Sequence, residues 1–423
     1  LTPEQRRNVL YVALDGIAIG LMSAAASFVS VFVIRLGASP FWVSLLSAAP
    51  ATIRLLMTIP WSQFVERKRR PQRVLAFSRL AVHAMYPLIA LVPFVLADEW
   101  TAKVIIVIWS LSAFPSSLSN MMFTLVMGNA VPPQSRAFLM GRRWIVLGIA
   151  KLIALPLVTQ VIDRVAFPLG YQIAFGINAL ISVFAFAFAS QLRVPERKPT
   201  PSPKGQPLQA RVRQEVHQVA EAKPFLIFIS GRALLNLGLA LVSAIIPFYW
   251  VQELEASDAW VGYFTMTLSA ATLVSYLPWT RFKRKRGTRW TLIPSVFGTA
   301  LYPALLSLAR TPGAVLPVIA FNGLVGGGMN LAFFDALLET CPADKQARFI
   351  AINMTAVSLM GVIGPPLGAA LLNVIDIRWV LVIGTIVALG GVCVFTFADI
   401  GRGRARRLRR RSATGRNTND TPN

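Results

Sequence analysis

Eight ionisable side chains stand inside long apolar stretches of this chain: Asp15, Arg54, Arg79, His83, Lys151, Arg232, Asp335 and Glu339. A charge held in apolar surroundings needs a partner, a substrate or a proton, and by default marks function. Asp335 and Glu339 are four residues apart, so a helix presents them on one face. Two close carboxylates oppose each other's ionisation and raise one pKa, which makes this pair a candidate proton site. Asn120 and Asn330 add neutral hydrogen-bonding groups. Other chemistries lack their residues. No phosphate-cradling Gly-x-x-x-x-Gly-Lys-Ser/Thr occurs, and two His and two Cys (Cys341 and Cys393) make neither a metal cluster nor a disulfide framework. The expectation is therefore a protein with no catalytic set, no metal and no cofactor.

Membrane-crossing helices must position these groups. The 423 residues are 55% hydrophobic and only 14% charged, with a mean hydropathy of +0.59; soluble domains carry roughly 25% charged residues. Apolar runs of about 20 to 28 residues recur along the chain, the length that crosses a hydrocarbon core. They fall at about 9–34, 41–63, 73–96, 102–131, 143–162, 169–191, 224–251, 258–280, 288–309, 313–340, 348–372 and 378–399. The fold class is thus all-α, a polytopic membrane protein of twelve transmembrane helices. The net charge of +24 would suggest nucleic acid in a soluble protein. Here about 33 of the 42 Lys and Arg fall on one side of the alternating loops. That asymmetry makes the basic side cytoplasmic, with both termini on it, in a multi-pass protein of the cell (plasma) membrane. Nucleic acid is excluded as a partner, and lipid is included.

The organisation reads as residues 1–191, an N-terminal six-helix half; 192–223, a basic Pro-rich cytoplasmic linker; 224–400, a C-terminal six-helix half; and 401–423, an Arg-rich disordered tail. The linker holds Pro195, Pro199, Pro201, Pro203 and Pro207, then a polar stretch at Arg211–Glu221 suited to a helix lying on the membrane surface. The halves are copies. Leu36 to Val43 aligns with Leu254 to Val261, and without a gap Pro60-Trp61 meets Pro278-Trp279. Tyr86-Pro87 matches Tyr302-Pro303, and Asn120 through Pro132 is similar to Asn330 through Pro342, sharing Phe123 and Phe333. An offset of six spans keeps orientation, so the two bundles are related by a pseudo-two-fold along the membrane normal.

Six plus six spans around a long basic loop resemble the major facilitator superfamily (MFS). The loop after the second span is similar to that family's signature of Gly, three residues, Asp, Arg, any residue, Gly, and Arg or Lys. In this chain Ser62 stands for the small residue, Glu66 for the acid, and Arg67 and Arg70 for the bases, while Arg69 replaces the second Gly. The resemblance implies a cytoplasmic gate in which Glu66 and Arg67 hold the halves together. In the second copy Arg284 occupies the acid position, so such a clamp belongs to one half only. Gly364-Pro365-Pro366-Leu367-Gly368 and the Gly16/Gly20 pair read as close-packing sites.

In the resembled fold, spans 1, 4, 7 and 10 line a central cavity, which implies a substrate- or proton-binding set of Asp15, Asn120, Arg232, Asn330, Asp335 and Glu339, to which the intramembrane Arg54 of span 2 is added. Asp15 and Asp335 lie roughly 9 Å from their cytoplasmic span ends at 1.5 Å rise per residue, and Arg54 is near mid-membrane, within reach of Asp15. Arg79 and Lys151 are shallow enough to snorkel, and His83 suits a packing role. The functional expectation is a monomeric secondary active transporter that moves a small molecule by alternating access, coupled to a proton. Acids outnumber Arg among these cavity charges, which favours export of hydrophobic or cationic compounds. The alternatives are uptake or exchange of a small organic anion bound by Arg54 and Arg232, or a lipid flippase on the same fold.

Overall fold

The computed structural model describes residues 2–66, 68–96, 98–132, 135–194, 222–341 and 346–397. The linker and tail of the sequence reading, with the surface helix at Arg211–Glu221, lie outside the described residues. The chain forms twelve membrane-crossing helices: α1 (Pro3–Arg35), α2 (Pro40–Glu66), α3 (Pro71–Val95), α4 (Asp98–Leu111 continued by Ala113–Ala130), α5 (Arg136–Arg164), α6 (Leu169–Ser190), α7 (Lys223–Glu253), α8 (Asp258–Arg286), α9 (Thr288–Ser307), α10 (Pro312–Thr340), α11 (Gln346–Leu371) and α12 (Ile377–Phe397). Ten helical stretches are long and apolar enough to cross a membrane. The other two helices, α8 and α9, are diluted differently. The last turns of α8 carry Lys283, Arg284, Lys285 and Arg286. In α9, Thr291, Ser295 and Thr299 are buried and donate to the carbonyls of Gly287, Thr291 and Ser295. Hydroxyls that back-bond to their own helix satisfy themselves without water.

Three helices break where proline dictates. A proline ring removes one backbone donor and clashes with the carbonyl four residues earlier. Pro87, Pro115 and Pro247 follow those acceptors, and α3, α4 and α7 break at Ala84, Ser112 and Ala244. In α1 the break at Ser27–Phe28 has no proline; there Ser23 and Ser27 donate to the carbonyls of Gly20 and Ser23. At the start of α1, Thr2 and Gln5 form a reciprocal capping box, which satisfies two of the helix's orphan donors.

The internal repeat is visible in three dimensions. The Trp61 indole donates to the Phe114 carbonyl at 3.1 Å, tying α2 to α4, and the Trp279 indole donates to the Leu324 carbonyl at 2.7 Å, tying α8 to α10. Each indole also meets the Phe three residues on, edge to face: Phe64 and Phe282. Tyr86 and Tyr302 are both buried. The glycines first read as packing sites face the matching neighbours: Gly16 and Gly20 lie against the α5 backbone, and Gly364 and Gly368 against that of α7. Small residues at these crossings let the backbones approach, and packing of that kind drives helix association in lipid.

The two bundles meet unevenly. At the end far from the termini, one buried cluster joins Phe28, Phe32, Tyr171 and Phe175 of the first half to Ala244, Phe248 and Val261 of the second. At the end carrying the N-terminus, the buried clusters stay within single halves, one around Val12, Met122 and Val126 and the other around Phe228, Phe333 and Phe349. Among the described residues, a shared buried core thus joins the halves at the far end and not at the terminal end.

Candidate functional site

Between the halves lies a cavity of about 630 Å³, walled by α2, α4, α7 and α11. Leu46, Pro50, Ala51, Trp109, Leu239, Ala240, Val357 and Pro365 make it largely apolar, and Ser47, Asn236, Ser243 and Ser358 supply neutral polar groups. Arg54 is the one charged residue among its described lining residues. It sits fourteen residues into α2, about 21 Å along a helix rising 1.5 Å per residue. That depth is beyond easy snorkelling, so a guanidinium there faces the cavity for a reason other than anchoring.

Asp15 does not pair with Arg54, as the sequence depths suggested. It is 2% exposed and bound by two other arginines: Arg79 of α3 contacts its Oδ1, and Arg143 Nε of α5 lies 3.4 Å from its Oδ2. Arg79 does not snorkel; it turns inward and is buried, because the carboxylate offers more than the interface does. Arg143 was missed by sequence reasoning, since Arg142-Arg143 follows a loop and reads as a topological anchor. Its one available signal was helical spacing, which puts Arg143 on one face with the apolar Leu139 and Leu147, four residues to either side. Both guanidiniums also lie over the Phe123 ring, Arg79 at 5.4 Å and Arg143 at 4.4 Å. Asn120, one turn before Phe123, lines a second cavity of about 360 Å³ with Arg79, His83 and Arg143.

In the second half the expected pairs also re-sort. Asp335 and Glu339 each have a partner from a neighbouring helix. Asp335 receives Lys283 Nζ of α8 at 2.7 Å, and Glu339 accepts from the Thr288 hydroxyl at 2.8 Å. Arg232 stacks over Phe333 at 4.4 Å and has no carboxylate partner among the described residues. Asn330 is exposed and lines none of the cavities described here. In the gate motif, Arg70 is exposed at the N-cap of α3, whereas Arg67 and the side chains of Ser62 and Glu66 lie outside what the structure describes.

A gate the sequence did not announce closes the far end. Arg35 Nε, at the end of α1, lies 2.8 Å from Asp258 Oδ1 in the first turn of α8, and Arg35 also donates to the Ala256 carbonyl. The Tyr171 hydroxyl donates to the same Asp258 oxygen at 2.6 Å. One carboxylate thus receives two groups from the other half. Close by, Gly262 of α8 packs on Thr159 of α5 with no room for a side chain.

Comparison with known proteins places this geometry. The family profile described as Major Facilitator Superfamily matches residues 12–275 and 228–418. An efflux pump of Ustilaginoidea virens is 27% identical over 138 residues, covering 32% of this chain and 25% of the pump. The staphyloferrin B transporter of Staphylococcus aureus is 22% identical over 162 residues, 37% of this chain and 38% of that protein. The chain thus spans less than two thirds of the length of these relatives. Among solved structures, an inward-facing, unoccupied bacterial homologue of the human lysosomal transporter Spinster superposes with a TM-score of 0.69 at 12% identity, over 93% of this chain and 97% of that one. The inward-open xylose transporter XylE of E. coli gives 0.67 at 13% identity, over 93% and 96%. With twelve helices in two matched bundles, a cavity between them and a profile match over most of its length, the chain belongs to the major facilitator superfamily.

Proposed function

We propose that this transporter carries small organic anions with an apolar body, bound in the central cavity by Arg54. Arg54 standing as the single charge on an otherwise apolar wall supports the reading most directly. The acids that made a cation attractive at the sequence level have their own partners: Asp15 has Arg79 and Arg143, and Asp335 has Lys283. Arg54 and Arg232 have no carboxylate partner among the described residues, so the net charge offered to a ligand is positive. A guanidinium recognises a carboxylate through a fixed fork of donors, strengthened where water is scarce. The terminal end, parted here, is the cytoplasmic one by its Lys and Arg excess, so the cavity is poised to exchange with the cytoplasm. Asp335 is the residue for proton coupling, being a partly exposed carboxylate near that open end that pairs with Lys283.

Export of uncharged hydrophobic compounds is the second reading, favoured by the apolar lining of the same cavity. The relative from Ustilaginoidea virens bears the name of an efflux pump. One flux experiment separates the two. In proteoliposomes, a panel of aromatic and aliphatic carboxylates is compared with the corresponding amides and amines, with and without a pH gradient. The carboxylates are expected to be carried, and Arg54→Gln is expected to raise their KM about tenfold, the loss of one charge-assisted contact. Flux of amides and amines with unchanged KM in Arg54→Gln would instead establish the second reading. Asp335→Asn is expected to abolish gradient-driven accumulation while counterflow persists; full accumulation would remove the proton site.

A further inference from the structure

The cavity of about 360 Å³ inside the first half is walled by α1, α3, α4 and α5, away from the cavity between the bundles. Ile19, Arg79, His83, Asn120, Phe123 and Arg143 are among its lining residues, and Asp15 lies behind the two arginines. The charged groups of this cluster are one carboxylate from α1 and two guanidiniums from α3 and α5. They leave one positive charge uncompensated. His83 is 8% exposed and lines the same space, and neither of its ring nitrogens has a hydrogen-bond partner. Buried polar groups are ordinarily satisfied, so an imidazole with two idle nitrogens beside two arginines is a recognition element awaiting a ligand.

The second half shows that the fold does not require these charges. Carried through the repeat, Arg79 falls on Ser295 and Arg143 on Asn353, both neutral and both fully buried. The burial pattern agrees with that register: Leu139 and Phe349, four residues earlier, are likewise buried, while Trp144 and Met354, one residue later, are exposed. The same helix crossings are thus built with and without ions. Bracing alone does not account for two buried arginines around one acid, since buried ions are expensive to keep.

We propose that this cavity is a second carboxylate-binding site, separate from the one at Arg54. Arg79 lies eight residues and Arg143 seven residues into their helices, about 10 to 12 Å from the terminal end. Arg54, twelve residues before the end of α2, lies about 18 Å in. A small carboxylate fits the donors: Arg143 and Arg79 for its oxygens, His83 and the Asn120 amide beside them, and the Phe123 ring as an apolar wall. The proposal rests on the anion reading of the central cavity and adds a second site of the same chemistry within the first half.

The test is calorimetric titration of the full-length protein in detergent with benzoate, phenylacetate and glutarate. It compares wild type with His83→Phe/Asn120→Ala, which leaves the Asp15–Arg79–Arg143 ions in place, and with Arg54→Gln. The expected result is two equivalents bound by wild type and one by each variant, with the melting temperature of the ligand-free double variant unchanged. A single equivalent in wild type that only Arg54→Gln removes would overturn the second site and leave the central one standing. A single equivalent that only the double variant removes would overturn the central site and retain this one. Wild type that binds none of the three carboxylates overturns both.

Discussion

Asp15 and its two arginines illustrate what a single side chain decides in lipid. Removing the carboxylate leaves two cations facing each other with neither water nor an acid, the costly way to break a buried ion pair. Asp15→Ala is therefore expected to lower stability by about 3–5 kcal/mol, read from denaturation in detergent. Replacing the group together (Asp15→Leu, Arg79→Met, Arg143→Met) is expected to recover most of that loss, because the repeat holds neutral residues at Ser295 and Asn353. A triple variant less stable than Asp15→Ala would contradict this. The intramembrane charges themselves were legible in the sequence, but their partners were not. Depth along a helix follows from residue number, whereas azimuth and neighbour depend on how the bundle packs. That is why Arg54 was set beside Asp15, and why Arg143, at the first residue of its span, was not singled out.

The elements were more legible than the contacts. Twelve spans, the order of the halves and the three proline breaks follow from apolar length and from chemistry local to the chain. The repeat was read from rare residues, and Trp61 and Trp279 return in the structure as equivalent hydrogen bonds. What the repeat could not tell is where the copies differ. Lys283 and Asp335 form an ion pair between α8 and α10, while the matching positions in α2 and α4, Val65 and Leu125, belong to an apolar cluster. The α5–α8 crossing depends on Gly262, whose missing side chain admits Thr159. Gly262→Val is expected to hold these helices apart and loosen the far end. A cysteine at Met266, half-buried beside the far-end cluster, should then react several-fold faster with an impermeant maleimide added from the far side. An unchanged labelling rate would show that the crossing is not part of the seal.

At the scale of the whole molecule, the two bundles move as bodies only if their mid-membrane contacts change. A Cβ built on Gly361 of α11 lies 3.4 Å from the Ala51 Cβ of α2, close to the spacing a disulfide needs. In a background lacking Cys341 and Cys393, Ala51→Cys with Gly361→Cys is expected to oxidise readily and stop flux, with recovery on reduction. Full flux in the oxidised form would mean that transport proceeds without relative motion at this contact. The Arg35–Asp258 clamp belongs to the same scale, since it joins residues 223 apart and holds the far end shut from outside the hydrocarbon.

Concentrating buried charge in the first half has a consequence for how the protein is made. Arg143 follows Asp15 by 128 residues, so at ribosomal rates of about 5–20 residues per second the acid waits roughly 6 to 25 s for its second cation. Until α5 emerges, Asp15 has met only Arg79, and the early helices have reason to linger beside the insertion machinery until the cluster takes its final form. The second half has neutral Ser295 and Asn353 where the first has Arg79 and Arg143, so it holds no counterpart of this wait.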